Sequence, residues 1–234
     1  IQDYYGFKEI NKSGAIKNFK SYLRNKSAHV IFEEIKFLSE NYLIKLFRFQ
    51  DTNFLTIDRS TLVALADLIN NSNLDIILYI ETRPEGINSS SIELLKKLKV
   101  DGVGMGVELS SQDFRESELN RFADHKKIID AFKLLKENNI RSTAYNVIGF
   151  PNQDEDSILS TIEFNKILNP DNITVAYYSP YYGTQQQKKS FDIGLFNDYE
   201  QDVDGQLRSV NRKNNSLSKE KLDYYKKNFY ELVE

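Results

Sequence analysis

Five polar clusters hold the side chains of this chain that are best placed to do chemistry. Gln50-Asp51-Thr52-Asn53 offers a carboxylate and an amide, and Glu81-Thr82-Arg83-Pro84-Glu85 sets a guanidinium between two carboxylates. Gly104-Met105-Gly106-Val107-Glu108 leads into Leu109-Ser110-Ser111, Asn146-Val147-Ile148-Gly149-Phe150-Pro151 leads into an amide- and acid-rich turn, and Tyr177-Tyr178-Ser179-Pro180-Tyr181 is aromatic. A carboxylate such as Glu108 can accept from a hydroxyl or an ammonium group. Arg83 can grip a carboxylate in two-point fashion. Asp51, Glu81 and Glu108 together are also the kit for acid–base or divalent-metal chemistry. Each has a plainer reading. Asp51 and Asn53 suit an Asx turn, Arg83 can pair with Glu81 or Glu85, and Glu108 can cap Ser110 and Ser111 or pair with a lysine. Gly104 and Gly106 admit either a ligand or a crowded neighbour close to the backbone. Tyr177, Ser179 and Tyr181 suit a substrate wall or aromatic rim packing. His29 and His125 have no second His or Cys at ligand spacing, so no metal site is expected. Asp154-Glu155-Asp156 fits a helix start better than a cation site.

All five clusters fall at the carboxyl ends of apolar runs. The patterning predicts strands over residues 43–49, 76–80, 102–107, 141–150 and 173–178. Helical spacing predicts segments over 28–42, 91–98 and 126–138, and a helix capped by Asp58 or Ser60 that carries Leu62, Leu65, Ala66 and Ile69. Asn152-Gln153-Asp154-Glu155-Asp156 opens another, running through Ile158, Ile162 and Ile167 until Asn169-Pro170 stops it. Residues 112–123 read as a polar excursion, 185–215 as a polar loop with a short strand, and 218–233 as an amphipathic helix. Residues 1–27 read as an irregular, partly helical connection, which gives the expectation that the chain starts inside a longer fold. Strands alternating with helices at this spacing predict an α/β protein with a parallel sheet curled toward a barrel. Ligand sites in such sheets lie at the carboxyl ends of the strands.

Composition narrows the classes. The chain of 234 residues is 40% hydrophobic and 28% charged, as soluble globular proteins are. A net charge of −3 gives no basic footprint for nucleic acid. No apolar run approaches the roughly 20 residues of a membrane span, and no signal peptide opens the chain. The absence of cysteine excludes a disulfide framework and thiolate metal ligation within the chain, and makes a cytoplasmic protein the default. The 14 tyrosines and 15 phenylalanines are a heavy aromatic load for core and barrel lining, with a few free to stack on a planar ligand.

In order and spacing, the five strand ends resemble the radical S-adenosylmethionine (SAM) superfamily, most closely the subgroup often found with a cobalamin-binding domain. Glu81-Thr82-Arg83-Pro84 also resembles the elongator-type catalytic subunit. The resemblance implies a partial (β/α)6 TIM-like barrel, with its first strand and its Cys-x3-Cys-x2-Cys cluster loop missing here and expected just upstream of Ile1. Residues 1–184 would be the barrel core, and 185–234 a C-terminal extension ending in a helix. It implies SAM and a [4Fe–4S] cluster as cofactors, the cluster ligands lying outside this chain, with cobalamin as the subgroup's further cofactor. Glu108, Gly106, Asp51, Asn53, Glu81, Arg83, Asn146, Gly149 and Pro151 would then contact SAM, and Tyr177, Ser179 and Tyr181 the substrate. The family's activity is reductive cleavage of SAM to a 5′-deoxyadenosyl radical that abstracts hydrogen from a small-molecule or modified-polymer substrate, with flavodoxin or ferredoxin as reductant. Without cluster cysteines this chain alone is expected to be inactive. Two other readings stay open: a cluster-less barrel that binds a nucleoside or a partner, and an unrelated barrel enzyme working through its carboxylates.

Overall fold

Period-two alternation decides how the strands are buried. The computed structural model describes residues 25–181, 184–194 and 217–234. These belong to two compact units, Ser27–Tyr178 with Asn215–Glu234, and Ile1–Lys26 with Ser179–Asn214. In the first, β1 (Leu46–Arg48), β2 (Ile77–Thr82), β3 (Val100–Glu108), β4 (Arg141–Ile148) and β5 (Asn172–Tyr177) form one sheet in sequential order. All neighbouring pairs are parallel, so each connection must cross over, and helices make the crossovers. The helices are α1 (Ala28–Tyr42), α2 (Arg59–Asn70), α3 (Ser89–Lys97), α4 (Gln112–Leu119), α5 (His125–Glu137), α6 (Glu155–Leu168), α7 (Gln185–Asp192) and α8 (Lys219–Val233), with α7 in the second unit. The first unit is the expected α/β partial barrel, a curled half-barrel of parallel strands.

One sheet face carries Leu78, Ile80, Val103, Met105, Val107 and Ala144, all at 0% exposure beneath the helices. Leu65 and Ile69 of α2, Leu95 of α3 and Phe132 and Leu135 of α5 close over it in one core cluster. A second cluster joins Ile148 to Ile158 and Ile162 of α6 and to Leu222, Tyr225 and Phe229 of α8. Truncating one such buried leucine or isoleucine costs about 2–5 kcal/mol.

The helix starts follow local chemistry. Asp124 accepts from the Lys127 N–H at 2.7 Å and Asp154 from the Ser157 N–H at 2.9 Å. Asn88 and Ser91 form a reciprocal capping box. Asp58 occupies the cap position of α2, but its side chain makes no capping bond. The expected strands agree with the observed ones to within a few residues, β1 being the shortest.

Two segments differ from expectation. Within 112–123, Ser111 accepts from the Phe114 N–H and starts α4, which Asn120 ends in a left-handed turn (φ 51°). Within 185–215, the Gln/Lys tract is helical rather than loop, because Thr184 caps it and those residues are good helix formers. The short strand expected further on, and most of the 1–27 connection, lie outside the described residues. Among the described residues no helix is long and apolar enough to cross a membrane.

Candidate functional site

The opposite sheet face is polar, and the strand register places its residues side by side. Arg48 pairs with Tyr79, Tyr79 with Gly102, Glu81 with Gly104, and Gly106 with Tyr145. Their side chains build one network. Arg48 donates to Glu81, and its guanidinium lies 5.1 Å from the centre of the Tyr79 ring. The Tyr145 hydroxyl donates to Glu81 at 3.2 Å and lies 2.8 Å from the Tyr79 hydroxyl. Burial, reinforced by the hydrogen bond with Tyr79, pushes the Tyr145 phenol well above its ordinary pKa, so it stays a neutral donor. Glycine at 104 makes this packing possible, since a Cβ there would lie 2.5 Å from the Tyr145 hydroxyl. The middle of the inner face is therefore filled by the protein's own side chains.

Glu108 stands at the end of β3. The register slips between Gly106 and Glu108, and Glu108 adopts a left-handed backbone with φ 64°. The bulge turns its carboxylate back over Gly106, where a Cβ would strike Glu108 and approach the Arg121 guanidinium at 3.1 Å. Arg121 pairs with Glu108 at 2.8 Å, the carboxylate side chain being only 13% exposed. Burial pushes the Glu108 carboxyl above the ordinary carboxylate range, while Arg121 and Arg83 pull the other way. Arg83 is exposed and its side chain has no hydrogen-bond or ion-pair partner among the described residues, so the pairing with Glu81 or Glu85 weighed from the sequence does not occur. The mouth thus presents one shielded carboxylate, one guanidinium that holds it, and one free guanidinium.

Asp51 is exposed just beyond β1. Asn53 accepts from the Thr82 hydroxyl at 2.8 Å and ties the β1 end to the β2 end. Gly149 has φ 80°, and Gln153 accepts from its N–H at 2.6 Å and from the Phe150 N–H at 3.3 Å. Half-buried Pro151 follows in the same turn.

Two residues expected at the site point elsewhere. The Asn146 side chain lies on the helix-covered face, 1% exposed, in a reciprocal amide pair with Asn165 at 3.1 and 2.9 Å. Tyr177 shares the helix-covered face with Ile173 and Val175, donates to Asp223 of α8, and carries Lys226 4.1 Å above its ring. Strand alternation makes it a docking residue for α8, not a substrate wall. Ser179 and Tyr181 belong to the second compact unit, where the Tyr181 carbonyl accepts from the Thr184 hydroxyl at 2.6 Å. Asp51, Glu81 and Glu108 do not converge, and among the described residues no group of three or more His, Cys, Asp or Glu could hold a metal ion.

Arg48, Tyr79, Tyr145 and Arg121 were not singled out from sequence. The tyrosines carried one signal, alternate spacing opposite a glycine-rich strand.

Comparison with known proteins agrees with this fold. A family model described as the radical SAM superfamily matches residues 6–164. An uncharacterised methyltransferase of Pyrococcus horikoshii is 26% identical over 162 residues, which is 69% of this chain and 35% of the relative. The chain therefore spans about a third of that curated relative's length. Among solved structures, the cobalamin-dependent SAM radical enzyme OxsB with aqua-cobalamin superposes with a TM-score of 0.66 at 14% identity, over 88% of this chain and 38% of that one. The radical SAM methyltransferase TsrM of Kitasatospora setae, with cobalamin and a [4Fe–4S] cluster, gives 0.55 at 13% identity, over 65% and 31%. At these identities the two structures show a shared fold.

Proposed function

The chain belongs to the radical SAM superfamily, and from that premise we propose that it supplies the SAM-holding part of such an enzyme's barrel. The observation that carries the reading is Glu108, a carboxylate with 13% side-chain exposure fixed at the end of β3 by Arg121. There it accepts hydrogen bonds from the ribose hydroxyls or the methionyl ammonium. The Arg83 side chain, without a hydrogen-bond or ion-pair partner among the described residues, would take the methionyl carboxylate in two-point fashion. Asp51 would take the methionyl amine, and the Gly149–Pro151 backbone would hold the adenine. Gly106 makes room for the Glu108 carboxylate, and Glu81 and Asn53 brace the strand ends that bear the contacts.

The chain contains no cysteine, so its side chains do not fit a [4Fe–4S] cluster, whose irons take thiolate ligands. Those ligands would come from residues outside this chain. When bound, the cluster supplies the electron for reductive cleavage of SAM; the residues described here bind, orient and shield. For the whole protein we propose hydrogen abstraction from a small-molecule or modified-polymer substrate, with flavodoxin or ferredoxin as reductant. Cobalamin is a further proposal, supported by the fold shared with cobalamin-dependent enzymes. The zero cysteine count favours a second reading, a cluster-less barrel that binds a nucleoside without catalysis.

S-adenosylhomocysteine binding to the intact protein tests the shared premise. A charged hydrogen-bond acceptor is worth about 1.5–3 kcal/mol, so Glu108→Gln should weaken binding by about ten- to a hundredfold. Unchanged affinity would remove Glu108 from the site.

A further inference from the structure

Arg115 is the largest fully buried side chain among the described residues, at 1% exposure. Among the described residues it forms no ion pair. Its Nη1 donates to the carbonyls of Leu109 at 2.7 Å and Ser110 at 2.6 Å, and its Nη2 to the carbonyl of Ala123 at 3.2 Å. Its Nε finds no partner. A guanidinium is costly to bury. The acceptors explain what the guanidinium adds. Leu109 and Ser110 follow Glu108 directly, and Ala123 lies two residues beyond Arg121. One buried cation therefore ties together the two chain segments that deliver the carboxylate and guanidinium of the site.

The same loop is fastened at other points. The N–H groups of Asn120 and Arg121 both donate to the Arg115 carbonyl, the second at 2.9 Å. The Ser110 N–H donates to the Thr161 hydroxyl at 3.1 Å. Glu108 itself sits at φ 64°, a conformation that costs a non-glycine residue energy and persists only when its surroundings hold it.

We infer that Arg115 is a positioning residue, holding the Glu108–Arg121 pair at the end of β3 in the geometry that receives the nucleoside. The inference rests on the reading of Glu108 given above. It is tested in the intact protein with Glu108→Gln, Arg115→Met, Arg115→Lys and the double variant Glu108→Gln/Arg115→Met. S-adenosylhomocysteine affinity, the urea midpoint, and titration of the Glu108 carboxyl by carbon-13 NMR are measured for each variant that retains the group concerned. Arg115→Met should lose affinity about tenfold, and the double variant should lie within about twofold of Glu108→Gln, because both changes remove one unit. In Arg115→Met the Glu108 carboxyl should titrate closer to the ordinary range, as the loosened loop exposes it. Arg115→Lys, able to keep some of the carbonyl bonds, should show both effects more weakly. A lower urea midpoint with unchanged affinity and unchanged Glu108 titration would overturn the inference, as would losses that multiply in the double variant. If Arg115→Met does not fold, Arg115→Lys decides by the same two readouts, and no change in either overturns the inference. Unchanged affinity in Glu108→Gln would defeat the reading of the site instead, and the Glu108 titration in the Arg115 variants would still decide the positioning claim.

Discussion

Gly104→Ala tests the claim that tyrosines fill the inner face of the sheet. A Cβ at this position lies 2.5 Å from the Tyr145 hydroxyl oxygen, 2.6 Å from Cε2 and 2.7 Å from Cζ. Carbon contacts are optimal near about 3.5 Å, so the ring must retreat by about 0.8 Å or more. Its hydroxyl is held by Tyr79 at 2.8 Å, by Glu81 at 3.2 Å and by Arg48 at 3.3 Å, and the retreat stretches the two longer bonds beyond bonding distance. Two lost bonds at about 1 kcal/mol each, with about 1–3 kcal/mol of overpacking, exceed the roughly 1 kcal/mol that alanine gains by restricting the unfolded chain. The expected net loss is about 2–4 kcal/mol, read from urea unfolding by linear extrapolation. Tyr145→Leu removes the obstacle, so Gly104→Ala/Tyr145→Leu should be about as stable as Tyr145→Leu alone. Coupling of at least about 1 kcal/mol between the two sites is expected. A Gly104→Ala protein within about 0.5 kcal/mol of wild type, or a double variant whose losses simply add, would refute the reasoning.

Three further outcomes follow from other parts of the unit. Asn165→Ala strands the buried Asn146 amide and should cost about 2–4 kcal/mol in urea unfolding, whereas the apolar pair Asn146→Val/Asn165→Leu should cost less than the two single changes summed; additive losses would contradict the reciprocal pair. Burial raises the folded Glu108 carboxyl above its unfolded value, so the folded state binds more protons in that window and this group's contribution to stability falls as pH rises through it. Glu108→Gln should remove that downward slope from the urea midpoint measured between about pH 4 and pH 8, and an unaltered profile would contradict it. Lys221, and then Tyr225, hold the Glu155 carboxyl below its ordinary range, so its stabilising contribution is present above the unfolded pKa and lost as pH falls through the folded one. Hydrogen-exchange protection in α8, corrected for the intrinsic rate at each pH, should fall on acidification in wild type, and Glu155→Gln should weaken that dependence; identical pH profiles would rule out the clamp.

The sequence made the strand ends readable because each apolar run stops abruptly at polar residues. Glu108 stood out as a carboxylate two residues after Gly-x-Gly. Its partner Arg121 did not, since only the left-handed turn at Asn120 and the buried anchor of Arg115 bring that polar stretch back to β3. Tyr79 and Tyr145 resemble core aromatics until register sets them opposite glycines. Tyr177 and Asn146 were assigned to the site through the family resemblance of their strand ends, and alternation puts their side chains against α8 and α6. The helix α7 escaped detection because its glutamines and lysines carry no apolar period, and its start depends on Thr184 alone.

The most direct test of the account is anaerobic reconstitution of the intact protein with iron and sulfide, followed by measurement of 5′-deoxyadenosine formed from SAM under a strong reductant. The account predicts a cluster absorbance band, deoxyadenosine in wild type, and a raised KM for SAM in Glu108→Gln. An intact protein that takes up no cluster and forms no deoxyadenosine would contradict the radical assignment and leave a barrel that binds its nucleoside without cleaving it.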